Sequence, residues 1–284
     1  MITLSQLHIY PIKSCAGISL SEALVGPLGL ALDRRWMLID RAGNFLSQRT
    51  CARMATIATA LDGEFLTVTA PAMPALRLPL LLSAGTQIEV AVWQDRLFAL
   101  DCGTVAHQWF SLYLGVDVRL VQFDPALRRV CSAQWTGTTD ATVQFADGFP
   151  LLVTNLASLQ DLNVRMGKKG APPLPMDRFR PNLVLDGLDA YEEDYLDTLT
   201  LGAPGAGIVL QMVKPCARCE IPGIDQHTGW RDTQWPHEPL DTLAQYRADA
   251  RVDGGLTFGQ NAVVLAGIGQ LLQLGQTVQP ALNF

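Results

Sequence analysis

The chain has 284 residues, enough for two domains or one large one, and almost half of them are apolar, which provides for a sizeable core. Its formal charge of 21 − 27 = −6 argues against a general nucleic-acid binder while leaving room for a local basic pocket that takes a small anion. The six cysteines lack disulfide-framework spacing, the N-terminus shows no signal peptide and no apolar run reaches a membrane span, so a cytoplasmic protein with neither membrane nor nucleic-acid partners is expected.

The first hundred residues read mostly as strands. Leu4 to Ile9 leads into a break at Pro11. Arg35 to Asp40 and Asn44 to Gln48 flank the turn Arg41-Ala42-Gly43. Ala55 to Ala60 and Phe65 to Ala70 flank Leu61-Asp62-Gly63, and Gln87 to Trp93 and Arg96 to Leu100 flank Gln94-Asp95. Short strands at this spacing predict a barrel or sandwich. A helix fits Thr104 to Leu114, with Val105, Trp109, Leu112 and Tyr113 on its apolar side and Gly115 as its stop. A second β-rich segment begins near Val118. Leu151 to Val153 reads as a strand, and Asn155 caps a helix running to Met166. After a loop at 167–173, strands resume at Asn182 to Leu185, Thr198 to Leu201 and Ile208 to Val213. Pro239 to Ala248 reads as a helix, with Pro in its first turn. Leu256 to Leu265 and Gln276 to Val278 close the sheet.

Chemistry concentrates at Lys214-Pro215-Cys216-Ala217-Arg218-Cys219, followed by Asp225 and Thr228-Gly229. A thiolate is a soft ligand, and a neighbouring Arg favours the charged form. A structural zinc site needs four ligands, and His227 and His237 lie at irregular spacing. A thioredoxin-type dithiol needs a helix that Pro222-Gly223 blocks. An iron–sulfur cluster needs further cysteines at set spacings. A single thiolate on a metal that arrives with its own organic ligand needs only one Cys. Against all of these stands a pair of small buried hydrophobes, the usual state of a free Cys.

Three further stretches carry anion-binding side chains: Tyr10-Pro11-Ile12-Lys13-Ser14-Cys15, Asp33-Arg34-Arg35-Trp36 and Arg178-Phe179-Arg180-Pro181-Asn182. Lys, Ser and Arg are natural donors to a phosphate or a polar heterocycle. Each stretch taken singly reads as solvated surface charge.

Together with Phe258-Gly259-Gln260-Asn261, and in this order, these motifs make the chain resemble the MOSC family over nearly its whole length. Among its members it is most similar to the amidoxime-reducing molybdenum enzymes. The resemblance implies a mainly β, α+β fold: an N-terminal β-barrel domain over residues 1–101, a helical connection over 102–117, and a β-barrel-like MOSC domain over 118–284. It implies Mo-molybdopterin as the cofactor, with Cys219 as the protein's ligand to molybdenum and Cys216 as a neighbour. Lys13, Ser14, Arg34 and Arg180 match positions that hold the phosphate and pterin. Asp147, Gly148, Phe149, Ala217, Arg218 and Asn261 match further contact positions. Asp225 matches an acid placed to relay protons. Asp225-Gln226-His227-Thr228-Gly229 departs from the Asp-Pro-Asp-Thr-Gly of many relatives, and Asn261 stands where some eukaryotic members carry Tyr.

The activity implied is reduction of small N-hydroxylated compounds, N–OH to N–H. Electrons would come from a separate ferredoxin-, flavoprotein- or cytochrome-type protein, because the chain shows no iron–sulfur cluster motif. It also shows no pyridoxal-phosphate domain of the sulfurases. A cofactor or sulfur carrier without turnover of its own is the alternative.

Overall fold

The computed structural model describes residues 1–82, 85–203 and 205–283. The fold is mainly β, of the α+β class. Among the described residues the strands form one sheet of nine, one of four and two of three. Among the described residues no helix is long and apolar enough to cross a membrane.

The largest sheet draws on both ends of the chain. Strand Thr3–Ile9 pairs antiparallel with Leu183–Asp186, with Leu7 opposite Leu183. Leu183–Asp186 in turn runs parallel to Leu151–Asn155, which pairs with Gly255–Ala266. Gly255–Ala266 also pairs with Ile208–Ala217, through three register shifts. Beneath this sheet lies a core that includes Leu4, Leu7, Ile9, Leu183, Leu199 and Leu210. Gly259, with φ +78°, permits one close approach: a Cβ there would stand 2.7 Å from the Val153 carbonyl oxygen.

The four-stranded sheet contains Trp36–Ile39, Gln87–Val92, Asp95–Asp101 and Arg119–Phe123. Arg119–Phe123, expected to open the second β-rich segment, lies between Trp36–Ile39 and Asp95–Asp101. A second core, with Ile12, Trp36, Leu66, Trp109, Phe110 and Leu120, packs under it. The chain passes from one core to the other between Ile9 and Ile12, so the next residues, Lys13 and Ser14, emerge at their junction.

Several expectations need correction. The helix Thr104–Leu114 forms and stops at left-handed Gly115, but its apolar side is shifted by one residue. Ala106, Trp109, Phe110 and Tyr113 are buried, whereas Val105 and Leu112 are 70% and 74% exposed. With Leu114, also buried, they follow i, i+3, i+4, i+7, i+8, the spacing that keeps side chains on one helical face. Asn44 to Gln48 forms only isolated bridges at Asn44 and Phe45, because a turn closes at once with Thr50 N–H on the Ser47 carbonyl. The helix expected over Pro239 to Ala248 is one turn, Leu240–Leu243. Arg247 donates to both the carbonyl and the hydroxyl of Thr257 and pairs with Asp194 at 2.6 Å, which draws Ala248–Asp249 to the edge of strand Gly255–Ala266. By contrast, Asn155 caps Leu156–Gly167 as expected, accepting from Ala157 N–H at 3.2 Å.

Candidate functional site

One cleft of about 340 Å3 opens where the two cores meet. Lys13 and Ser14 reach it from the bend after the first strand, and Arg34 from the turn before Trp36–Ile39. Asp147, Gly148 and Phe149 reach it from the loop before Leu151–Asn155, and Arg180 from the end of the short helical turn Met176–Phe179. Cys216, Ala217, Arg218 and Cys219 line it where strand Ile208–Ala217 ends, and Asn261 lines it from the adjoining strand. Sequence positions more than two hundred apart thus share one wall.

The backbone is strained at this place. Ser14, Arg34 and Arg180 have φ of 66°, 46° and 58°, the left-handed region that side-chain-bearing residues rarely enter. Such strain persists only where surrounding contacts over-determine it, and it clusters at functional sites. Those contacts are present. Arg34 N–H donates to the Tyr10 carbonyl at 2.8 Å, and Arg180 N–H to the Asp177 carbonyl at 3.1 Å. Gln48 donates to the Ser14 carbonyl at 2.8 Å.

Tyr10 is the hub of the basic side. The Arg34 and Arg180 guanidinium groups each lie 4.3 Å from its ring centroid, and its hydroxyl donates to the Pro181 carbonyl. Burial pushes the phenol up to about 12, so the ring stays neutral beneath two cations. Arg34 also donates to Asp33 at 2.6 Å and to Asn182 at 2.9 Å. Burial, with Arg34 nearby, lowers Arg180 to about 10, still a cation at neutral pH. Its partner is Gln226, which exchanges two 2.9 Å hydrogen bonds with Gln48.

Lys13 is buried, donating to the Phe145 carbonyl at 2.8 Å and meeting Asp147 at 2.5 Å. Burial lowers its pKa, and Asp147 opposes that shift. The surrounding protein would raise the Asp147 carboxyl, but Lys13 and the Trp93 indole N–H outweigh it and hold it below the usual carboxylate range. Arg129 braces this loop from behind, donating to the carbonyls of Gln144, Ala146 and Asp147.

On the sulfur wall, Arg218 donates to Cys216 Sγ at 3.0 Å and to the Phe179 carbonyl at 2.7 Å. Its guanidinium therefore meets the first thiol of the pair, Cys216. Cys15 is different chemistry: fully buried, its thiol is pushed up to about 12 and is inert. Among the described residues no group of three His, Cys, Asp or Glu side chains could hold a metal ion, so the zinc alternative has no ligand set.

Asp225 is the one expected site residue that does not line the cleft. Its Oδ1 accepts from His227 N–H, Thr228 N–H and the Thr228 hydroxyl, and its Oδ2 from Arg178 at 2.9 Å. Burial would raise its pKa, but these donors together lower it. That geometry fastens the loop and gives no support to a proton relay.

Residues 1–117 match the family profile described as the MOSC N-terminal beta barrel domain, and residues 140–279 match the MOSC domain. The chain belongs to the MOSC-domain family. Human mitochondrial amidoxime reducing component 2 is 36% identical over 257 residues, covering 86% of this chain and 72% of that protein. Human mitochondrial amidoxime-reducing component 1 is 35% identical with the same coverage. The solved YuaD protein of Bacillus subtilis aligns over 98% of this chain and 94% of its own, at 12% identity and TM-score 0.43.

Within this MOSC-domain site, motif reading missed the support. Tyr10, Asp33, Asn182, Lys214 and Gln226 lie inside the quoted motifs with no role assigned, and Gln48, Arg49 and Arg129 are not among the site residues expected from sequence. Arg49 and Lys214 line the cleft itself. Its place as the basic residue that opens the cysteine motif is the sequence signal for Lys214.

Proposed function

We propose that this protein is a molybdenum-cofactor-dependent reductase of N-hydroxylated compounds, fed with electrons by a separate donor protein. The observation that carries this reading is the convergence of the cysteine pair, the strained Ser14, Arg34 and Arg180, and Lys13 in one cleft. The donor set fits the cofactor. Thiol sulfur suits a soft redox metal, and the basic corner suits a phosphate and a polar heterocycle. The buried Nε of Arg218, which has no hydrogen-bond partner among the described residues, is a further donor beside the sulfur wall.

In this reading Cys219 is the thiolate ligand, and Cys216 stays a neighbour engaged by Arg218. Lys13, Ser14, Arg34 and Arg180 hold the phosphate and pterin. Arg49, packed 4.6 Å from the Trp93 ring beside Asp147, joins them. Asp147, Gly148 and Phe149 wall the cleft, and Asn261, which donates to the Lys214 carbonyl at 3.2 Å, keeps the facing strand in register. When bound, the cofactor supplies the two electrons that break the N–O bond, and two protons complete the N–H product and water. The relatives' names, amidoxime reducing components, agree with this reaction. Six free cysteines agree with a reducing compartment, and cytoplasmic location is part of the proposal.

The test is protein produced in a host that makes the cofactor, analysed for molybdenum and pterin and assayed with benzamidoxime and a chemical reductant. Stoichiometric cofactor and benzamidine formation are expected. Cys219→Ser should abolish turnover with the fold intact. A fully active Cys219→Ser protein defeats the ligand assignment, and ready transfer of cofactor to an apo-enzyme without turnover favours a carrier.

A further inference from the structure

The charge of the cleft is out of proportion to the chain. A protein with a net charge of −6 lines one cavity with six cations, Lys13, Arg34, Arg49, Arg180, Lys214 and Arg218, and one carboxylate, Asp147. Carboxylates pair with Lys13 and Arg34. Arg180 is bonded to Gln226, and Arg218 to Cys216 and the Phe179 carbonyl. Arg49 sits against Trp93, whose indole N–H is bonded to Asp147, at the Lys13 corner.

Lys214 and Arg49 are the two whose side-chain nitrogens have no hydrogen bond or ion pair among the described residues, and of these two Lys214 lies away from the Lys13 corner. It lies on the sulfur wall, two positions before Cys216 in the same strand, where its backbone carbonyl is fixed by Asn261. Among the described residues its ammonium has no hydrogen bond or ion pair. It rests 5.0 Å from the ring centroid of Trp135. Trp135 packs with Val213 against the cluster of Cys131, Val143, Phe149 and Val263, which holds the aromatic shelf in place. A cation held on an aromatic face keeps its donors available and loses little freedom on meeting an anion.

We propose that Lys214, on its Trp135 shelf, is a specificity-determining residue that selects N-hydroxylated substrates bearing an anionic group. This rests on the reductase reading above. A carboxylate on the substrate gains the attraction of Lys214, and a positively charged amidine product without one is repelled and leaves readily.

The test compares benzamidoxime with 4-carboxybenzamidoxime on the cofactor-loaded protein, using reduced methyl viologen. Equilibrium binding of benzamidine and 4-amidinobenzoate is measured in parallel by calorimetry, without turnover. The carboxylate substrate should show about fivefold higher kcat/KM at low salt, carried by KM, and the advantage should shrink at high ionic strength. 4-Amidinobenzoate should bind correspondingly tighter than benzamidine. Lys214→Gln should bring both ratios to about one, and Lys214→Arg should keep most of them, with molybdenum and pterin content equal to wild type in both variants. Equal handling of the two substrates by the wild type overturns the proposal. So does a preference that survives in Lys214→Gln, or a loss of cofactor in that variant, which would make Lys214 a cofactor ligand. Failure to reduce either compound with full cofactor present refutes the reductase reading itself, and the proposal with it.

Discussion

The Lys13 ammonium lies 2.5 Å from an Asp147 carboxylate oxygen, joining a bend near the N-terminus to a loop that opens the second half of the chain. Lys13 is buried, while the Asp147 side chain is 64% exposed, so the pair shows its carboxylate to the cleft. In the proposed function an arriving phosphate would compete with Asp147 for the same ammonium. Asp147→Asn should therefore destabilise the cofactor-free protein, because a buried cation loses its partner. The loss should fall short of the ~3–5 kcal/mol seen for fully buried pairs, since water reaches this one. Added pyrophosphate should raise the thermal midpoint more in the variant than in wild type. Equal responses of the two proteins would show that Asp147 does not compete at the anion site.

Asn182 ties three strands and one cleft-lining side chain, Arg34, with a single amide. Its Oδ1 accepts from Arg34 and from Leu152 N–H, and its Nδ2 donates to the His8 carbonyl. It is 1% exposed, so water cannot replace these bonds. Asn182→Ala should cost roughly 2–4 kcal/mol in urea unfolding, because several buried polar groups lose partners together. The same variant should lose cofactor, since Arg34 is released. A midpoint within error of wild type would mean that the amide is not the fastener.

Local signals in the chain carry much of this architecture, and long-range pairing carries what they miss. Gly115 and Asn155 mark helix ends by their own chemistry, so both ends were legible. The pairing of Thr3–Ile9 with Leu183–Asp186 has no local signature, because register between distant strands is set by packing. The same holds within the site. Motif residues such as Lys13, Arg180 and Cys219 were legible as types. The Tyr10 hub and the reciprocal Gln48–Gln226 pair exist only once the chain has folded. Asp225 shows the converse: a motif position read as chemistry accepts four hydrogen bonds that fasten its loop.

That distinction is measurable through pH. The folded pKa of Asp225 lies below its unfolded value of about 3.9, so its stabilisation is full above that value and fades as pH falls through the folded pKa. Asp225→Asn should lower stability by roughly 1–2 kcal/mol at pH 7. The gap to wild type should narrow towards pH 3. The shape of the kcat–pH profile should stay as in wild type. A displaced kcat–pH limb with unaltered unfolding would restore the proton-relay role.

Ser14 has φ of 66°, and glycine adopts that conformation without steric cost. Ser14→Gly should therefore relieve strain and raise folding stability by about 1 kcal/mol, despite the added freedom of the unfolded chain. It also deletes a hydroxyl that lines the anion corner. Pyrophosphate should then bind about tenfold more weakly to the cofactor-free protein, the effect of one lost hydrogen bond to a charged ligand. A more stable protein that binds its anion less well is the signature of strain kept for function. If Ser14→Gly proves less stable and binds pyrophosphate as wild type does, the left-handed serine is a feature of the turn alone, and the bend after the first strand holds its ligand through Lys13.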